Sequence, residues 1–357
     1  MDDVLRLSAA DAALVTTIYD PPRSRQPWML TDILPAGATR YYSLARWALV
    51  DALRACDVGA GDRVLVPALI CREVLASIHH LGATAAFYPV SPQLCAAFGS
   101  SVPGDAKAVL TVNYFGFPQP LDVFRRYCER TGAALIEDNA HGLLSRDDEG
   151  RLLGSRGDAA IFSFRKTIAV PGGGALVLNG GRTLPAASTL SPGGSPGVRY
   201  RVKQAVRRAA ERLGPVASLR SIAAARRLRG AITGHSLPSS PPDAETRIPA
   251  APSPPALIQR PLAVAEPALE AQRRRALFAL AGRIVAAVGA RPVFPHLPQH
   301  VVPYGFPILA SPAQVQGLTA HLARHGLPLA QWPDLPLATA SSAPEHYRQL
   351  LVVPFLW

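Results

Sequence analysis

Three residues in the stretch 132–178 have types and spacing suited to amine chemistry. Asp138 follows the apolar run 133–136, His141 stands close behind it, and Lys166 comes 28 residues after the acid, beyond the apolar run 159–162. A carboxylate facing a pyridinium nitrogen and a lysine able to form a Schiff base are the two groups that pyridoxal phosphate (PLP) needs from a protein. In that arrangement Asp138 keeps the ring nitrogen protonated, and Lys166 holds the cofactor and moves protons once displaced. A lysine with that task needs a lowered pKa, from burial or from a neighbouring cation, and Arg165 is the nearest cation in sequence. The other two lysines are Lys107, before an apolar run, and Lys203, in an arginine-rich stretch, so the choice of amine is narrow.

Both groups follow short β-like runs, and in an open α/β sheet ligands sit beyond the carboxyl ends of strands. Taken singly, each residue has a plainer reading. Asp138 suits a turn or cap, His141 a hydrogen-bonded polar side chain, Ser163 a strand-end hydroxyl, and 172–174 a glycine turn. Their order along the chain and their shared place at strand ends favour a site.

Glu137-Asp138-Asn139-Ala140-His141-Gly142 and Gly157-Asp158-Ala159-Ala160-Ile161-Phe162-Ser163-Phe164-Arg165-Lys166 resemble the motifs of the DegT/StrS-type sugar aminotransferases, of the aspartate-aminotransferase (fold type I) class. The resemblance covers most of 37–180 and, more loosely, the C-terminal third. It implies that Asp138 binds the pyridine nitrogen, that His141 contacts the cofactor's phenolic oxygen, that Ser163 binds its phosphate and that Lys166 carries it. The family also holds phosphate on backbone amides at the start of a helix, at Ser-Gly-Thr or Ser-Gly-Arg, where this chain has Leu44-Ala45-Arg46. Ala45 and Arg46 then become the phosphate-binding positions, with the Arg46 guanidinium able to pair directly. An aromatic residue that stacks on the ring in the family aligns with Cys71, whose thiol gives less stacking. Gly172 stands where the family has an acid before its paired glycines.

The elements that must position these residues follow from pattern. Helix 41–56, strands 63–67, 82–90 and 108–116 and helix 121–130 alternate as in a mostly parallel sheet covered on both faces. Residues 1–36 read as an arm over the main domain. Residues 180–255 read as a basic, helical and proline-rich insert, in which Pro215 splits the stretch 199–229 into two helices. A small α+β unit follows, with helix 265–288 carrying Arg273-Arg274-Arg275, strand 301–308, helix 313–325, loop 331–336 and strand 350–354. The expected fold is α/β, a fold type I PLP-dependent transferase with a large domain 1–255 and a small C-terminal domain 256–357.

Composition sets outer bounds. The 357 residues, 48% hydrophobic and 17% charged, are ample for such a globular fold. A net charge of +12, nearly all from arginine, suits anionic partners, but no zinc-finger spacing or stacking-aromatic motif supports nucleic acid. Cys56, Cys71, Cys95 and Cys128 form no C-x-x-C pair, which suits a reducing cytoplasm, and no metal site is read. No apolar run is long enough to span a bilayer. The stretch 199–229 reads as a solvated face, with membrane-surface contact the minor alternative. The expected activity is transfer of an amino group from an amino acid, with glutamate as donor, to a keto sugar nucleotide. That places it in surface polysaccharide or sugar biosynthesis, and the resemblance implies a homodimer with sites between subunits. A rival reading is a degenerate relative that binds PLP or a nucleotide sugar as a regulatory or assembly subunit, favoured by Leu44-Ala45, Cys71 and Gly172. Dehydration is a weaker third reading, because members of that type carry histidine in place of the lysine.

Overall fold

The computed structural model describes residues 9–19, 21, 30–35, 38–99, 102–168, 170–184, 240–249 and 265–355, with isolated positions between them. A seven-stranded sheet frames the site. Five of its strands run parallel: β2 (Arg63–Pro67), β3 (Thr84–Tyr88), β4 (Ala108–Val112), β5 (Ala134–Asn139) and β6 (Ala159–Ser163). One reversed strand, β7 (Gly174–Leu178), pairs antiparallel with β6 on one side and with β1 (Thr39–Tyr42) on the other, so β1 runs in the common direction and completes the order β1-β7-β6-β5-β4-β2-β3. Strands β4 to β7 are buried along their whole lengths. Central strands covered on both faces show this as near-continuous apolar runs. Helices α2 (Ala45–Ala55), α3 (Leu75–His79) and α4 (Asp122–Thr131) connect them. Gly132, at φ +73°, ends α4 in the left-handed conformation and turns the chain into β5.

Three expectations are corrected. Tyr41 and Tyr42 belong to β1, and the helix starts only at Ala45. Tyr42 pairs with Gly174 in the sheet, and its hydroxyl donates to Asp51 Oδ2 at 2.7 Å, so a strand residue packs on the helix it was assigned to. The N-terminal arm lies over the main domain only in part: α1 (Ala9–Tyr19) lies on the long helix α5 (Pro267–Ala287). Asp11 pairs with Arg283 at 3.0 Å, and Arg273 Nε donates to Ile18 O at 2.7 Å. Leu30, Ile33 and Leu34 join a separate apolar cluster with Leu143, Phe162 and Phe164.

The third correction concerns the strand expected over 301–308, which begins at Gly305. A second, antiparallel sheet has the order β10-β11-β9-β8, from β8 (Arg291–Pro292), β9 (Gly305–Leu309), β10 (Ala330–Gln331) and β11 (Leu350–Pro354). Pro303 has no N–H for a ladder, so the preceding residues are bonded otherwise. Val302 N–H donates to Ser145 Oγ at 2.9 Å and Tyr304 N–H to Phe115 O at 2.8 Å, which draws this segment against the end of the large sheet. Apart from isolated positions, the stretch 199–229, its division at Pro215 and most of the insert 180–255 lie outside the described residues. No helix among the described residues is long and apolar enough to cross a membrane.

Candidate active site

Alternation along β5 decides which way its acids face. Glu137 is fully buried and accepts from Arg156 Nη2 at 2.7 Å and Nε at 3.0 Å, and from the N–H groups of Gly154 and Arg156. Asn113 extends that network, donating to Glu137 Oε2 at 3.1 Å and accepting from Arg156 Nη2 at 2.9 Å. The adjacent Asp138 turns the other way, into a cleft.

All seven residues singled out from the sequence line that one cleft: Ala45, Arg46, Cys71, Asp138, His141, Ser163 and Lys166. Lys166 ends the single 3-10 turn after β6, and its Nζ lies 3.1 Å from His141 Nε2. His141 Nδ1 accepts from the Phe115 N–H at 3.2 Å, which leaves Nε2 as the protonated nitrogen of a neutral ring. An Nε2–H can donate to Lys166 Nζ only while the amine is uncharged. Burial works in that direction on both groups. It lowers the pKa of His141 well below the usual range, helped by Lys166, Arg274 and Arg165. It also lowers that of Lys166, where Arg165 adds to the effect and Cys71, Asp138 and Glu73 oppose it.

Asp138 is 6% exposed, and its Oδ1 accepts from the Ala140 N–H at 2.9 Å. Burial raises its pKa, against the pull of Lys166 and of that hydrogen bond. Cys71 is half-buried, and burial pushes its thiol up to about 11, so it is protonated at neutral pH. Ser163 is buried at the end of β6.

The start of α2 meets the cleft through close backbone packing. Leu44 caps the helix without a side-chain bond, and the nearby hydroxyl of Ser43 donates to Ala251 O instead. A Cβ on Gly174 would lie 2.5 Å from Ala45 N, so only glycine fits there. Gly173 N–H donates to Ser43 O at 2.7 Å, and its carbonyl accepts from Phe164 N–H at 3.1 Å, tying the helix start to the Lys166 turn. The glycine run is therefore a packing device between two parts of the site as well as a turn.

Sequence reasoning missed three aromatic residues that hold His141. Tyr304 stacks on it with centroids 4.0 Å apart and planes at 3°, Phe115 lies at 5.5 Å and 25°, and Trp332 at 5.5 Å and 55°. Trp332 also lines the cleft. Tyr304 and Trp332 lie over 150 residues beyond His141, and no local pattern linked them to it.

The residues fit PLP on structural grounds. A buried carboxylate with a raised pKa suits a pyridinium N–H, the Lys166 amine lies in the same cleft, and the uncapped N-terminus of α2, held close by Gly174, suits a phosphate. Known structures similar to this one point the same way in fold. The aminotransferase TlmJ from Streptoalloteichus hindustanus aligns with a TM-score of 0.57 at 18% identity, over 98% of this chain and 91% of that one. DesV from S. venezuelae, solved with a ketimine intermediate, gives 0.56 at 21% over 98% and 90%. PseC from Helicobacter pylori, an aminotransferase of pseudoaminic acid biosynthesis, gives 0.59 at 15% over 98% and 91%. The sequence itself matches the profile of one family across residues 44–335, from the start of α2 to the loop beyond Trp332. The chain accordingly belongs to the DegT/DnrJ/EryC1/StrS aminotransferase family, whose members depend on PLP.

Proposed function

We propose that the protein moves an amino group from an amino acid, with glutamate as donor, to a keto sugar carried on a nucleotide. The observation that carries this reading is the convergence of Lys166, His141, Asp138, Ser163 and the start of α2 on one cleft. The exposed Arg165 lines it too and offers a guanidinium to a diphosphate that enters. The family to which the chain belongs supports a sugar acceptor. Bound PLP supplies a conjugated ring that draws electrons from the substrate carbon and carries nitrogen between the two substrates.

The chain's own groups have the following tasks in this reading. Asp138 holds the proton of the pyridine nitrogen, and its burial makes that pairing favourable on both sides. Lys166 holds the cofactor through Nζ and, when free, carries the proton to and from the substrate carbon, which requires the neutral amine that burial favours. His141 offers Nε2–H to the phenolic oxygen, its tautomer fixed by Phe115. Ser163, the Ala45 and Arg46 amides and the Arg46 side chain take the phosphate. Cys71 lies against the ring. A homodimer, a cytoplasmic location and a place in surface-polysaccharide assembly belong to the same reading.

The test is spectroscopic. PLP-loaded protein should lose its visible absorption band on addition of glutamate, and a panel of keto sugar nucleotides should restore it with the matching acceptor. A band that no amino acid alters would leave the protein a binder of PLP and sink the transfer reaction. Lys166→Ala that still holds PLP after borohydride reduction would move the amine elsewhere.

A further inference from the structure

Arg274 is 1% exposed and sits on the face of α5 that also buries Leu277, Phe278 and Ala281. A guanidinium has five N–H donors, and here five acceptors surround it. Nε donates to Glu270 Oε1 at 2.7 Å. Nη1 donates to the carbonyls of Pro303 and Tyr304, both at 3.3 Å. Nη2 donates to Lys166 O at 2.9 Å and Thr167 O at 3.1 Å. One pair of carbonyls belongs to the turn that carries the amine, and the other to the residue whose ring lies flat on His141. The Tyr304 N–H donates to Phe115 O, and the Phe115 N–H donates to His141 Nδ1. The two arms of the guanidinium therefore reach both partners of the Lys166–His141 contact.

We propose that Arg274 is a positioning residue: by bonding 166–167 and 303–304 at once, it sets Lys166 Nζ within reach of His141 Nε2. This rests on Lys166 being the amine that carries the cofactor. A lysine at 274 keeps the charge but has three donors on a flexible stem and no fork, so it cannot serve both pairs. Two neighbours on α5 show what a staple without this role looks like. Arg275 Nη1 donates to Pro298 O and Val301 O, both at 2.7 Å, and Arg273 Nε to Ile18 O, carbonyls outside the lysine turn. Lys166 is faced by His141, Asp138, Cys71 and Glu73 across the cleft, with Arg165 beside it and the Tyr304 ring 5.7 Å from its Nζ. The substitutions at 274 and 275 change none of these groups.

The experiment follows the amine itself in the full chain without cofactor. Modification of Lys166 by an amine-directed reagent is measured by peptide mass spectrometry across pH. Arg274→Lys should raise the midpoint by about half to one pH unit, equivalent to a roughly 3- to 10-fold smaller reactive fraction below it. Arg275→Lys should lower the melting temperature while leaving the midpoint where it was. Tyr304→Leu removes the stack on His141 and also the ring facing Lys166 Nζ; loss of that ring alone lowers the midpoint, so a raised midpoint in this variant reports the lost His141 contact and keeps the test open if Arg274→Lys does not fold. A wild-type midpoint in Arg274→Lys, a lowered one in Tyr304→Leu, or an equal displacement in Arg275→Lys, overturns the proposal. Failure of PLP to attach at Lys166 in the unaltered protein would instead remove the proposed function.

Discussion

Gly174→Ala tests whether the start of α2 is the phosphate end of the site. The added Cβ would lie 2.5 Å from Ala45 N, 2.6 Å from Ala45 Cα and 2.8 Å from Leu44 C. All three are backbone atoms, so no side chain can swing aside. Restoring ordinary contact means withdrawing the helix start by about 1 Å, and overpacking of this kind costs roughly 1–3 kcal/mol of stability. The same movement carries the Ala45 N–H away from any anion it holds. A hydrogen bond to a charged group is worth about 1.5–3 kcal/mol. Its loss should weaken PLP binding roughly 10- to 100-fold. Titration of the apoprotein with PLP, followed by absorbance, reads the affinity, and thermal melts with and without PLP separate it from stability. Gly172→Ala is the control, since its Cβ would meet only Ser43 O, at 3.4 Å. Wild-type affinity in Gly174→Ala, together with an unchanged melt, would refute both the close packing and the assignment of the phosphate.

Three further outcomes follow from the buried charges. Lys166→Met should hold no PLP after borohydride reduction. Because the folded state lowers the Lys166 pKa below the 10.5 of an ordinary lysine, the unfolded chain binds the extra proton between those values and wild-type stability rises with pH there. The Lys166→Met apoprotein should therefore melt higher than wild type at pH 7, with the gap closing towards pH 10.5. Asp138→Asn runs through the opposite sign. Burial raises its pKa above 3.8, so folding is penalised as pH rises through that interval. The variant apoprotein should be more stable at neutral pH, while transamination should fall by about 10²-fold or more for want of the ring's counter-charge. Glu137→Ala removes the closer carboxylate of the Arg156 guanidinium, 4% exposed, leaves it only Asp147 at 3.9 Å, and should cost about 3 kcal/mol in urea unfolding.

The groups to which we assign chemistry were legible as members of one cleft because they are local to strand ends. Lysine is scarce in this chain, and Asp138 and Lys166 each follow an apolar run that could only be a strand of a covered sheet. The supporting groups were not, because burial reverses the meaning of their residue types. Arg273-Arg274-Arg275 stands out in the sequence only as an arginine-rich part of a helix, yet each of the three donates to backbone carbonyls, and Arg274 is among the most buried side chains. A signal was present: Arg274, Phe278, Ala281 and Val285 recur at helical spacing, so the arginine falls within the apolar stripe of α5. The glycine run reads locally as a turn, because the need for a missing Cβ at 174 arises from Ala45, 129 residues earlier. Tyr41 and Tyr42 were misread for a related reason. Four residues of β1 give too short an alternation to compete with the helical pattern that follows, and pairing with β7 decides the outcome.

Cys71 offers the last discriminating variant. The aromatic side chains near the site gather about His141, while the turn after β2 presents a thiol towards Lys166 and Asp138. If that turn lies over the face of the cofactor ring, a flat side chain there would add stacking worth about 0.5–1.5 kcal/mol, a roughly 2- to 10-fold gain in PLP affinity. Leu49, Ile70 and Val74 line the same cleft and offer apolar surface to such a ring. Cys71→Phe should thus tighten PLP binding, and Cys71→Ala should leave it within a factor of about three, since a thiol gives little stacking to lose. Tighter binding with an unchanged amine midpoint at Lys166 would place residue 71 on the ring. Unchanged affinity in a Cys71→Phe protein that melts like wild type would show that the turn faces away from it.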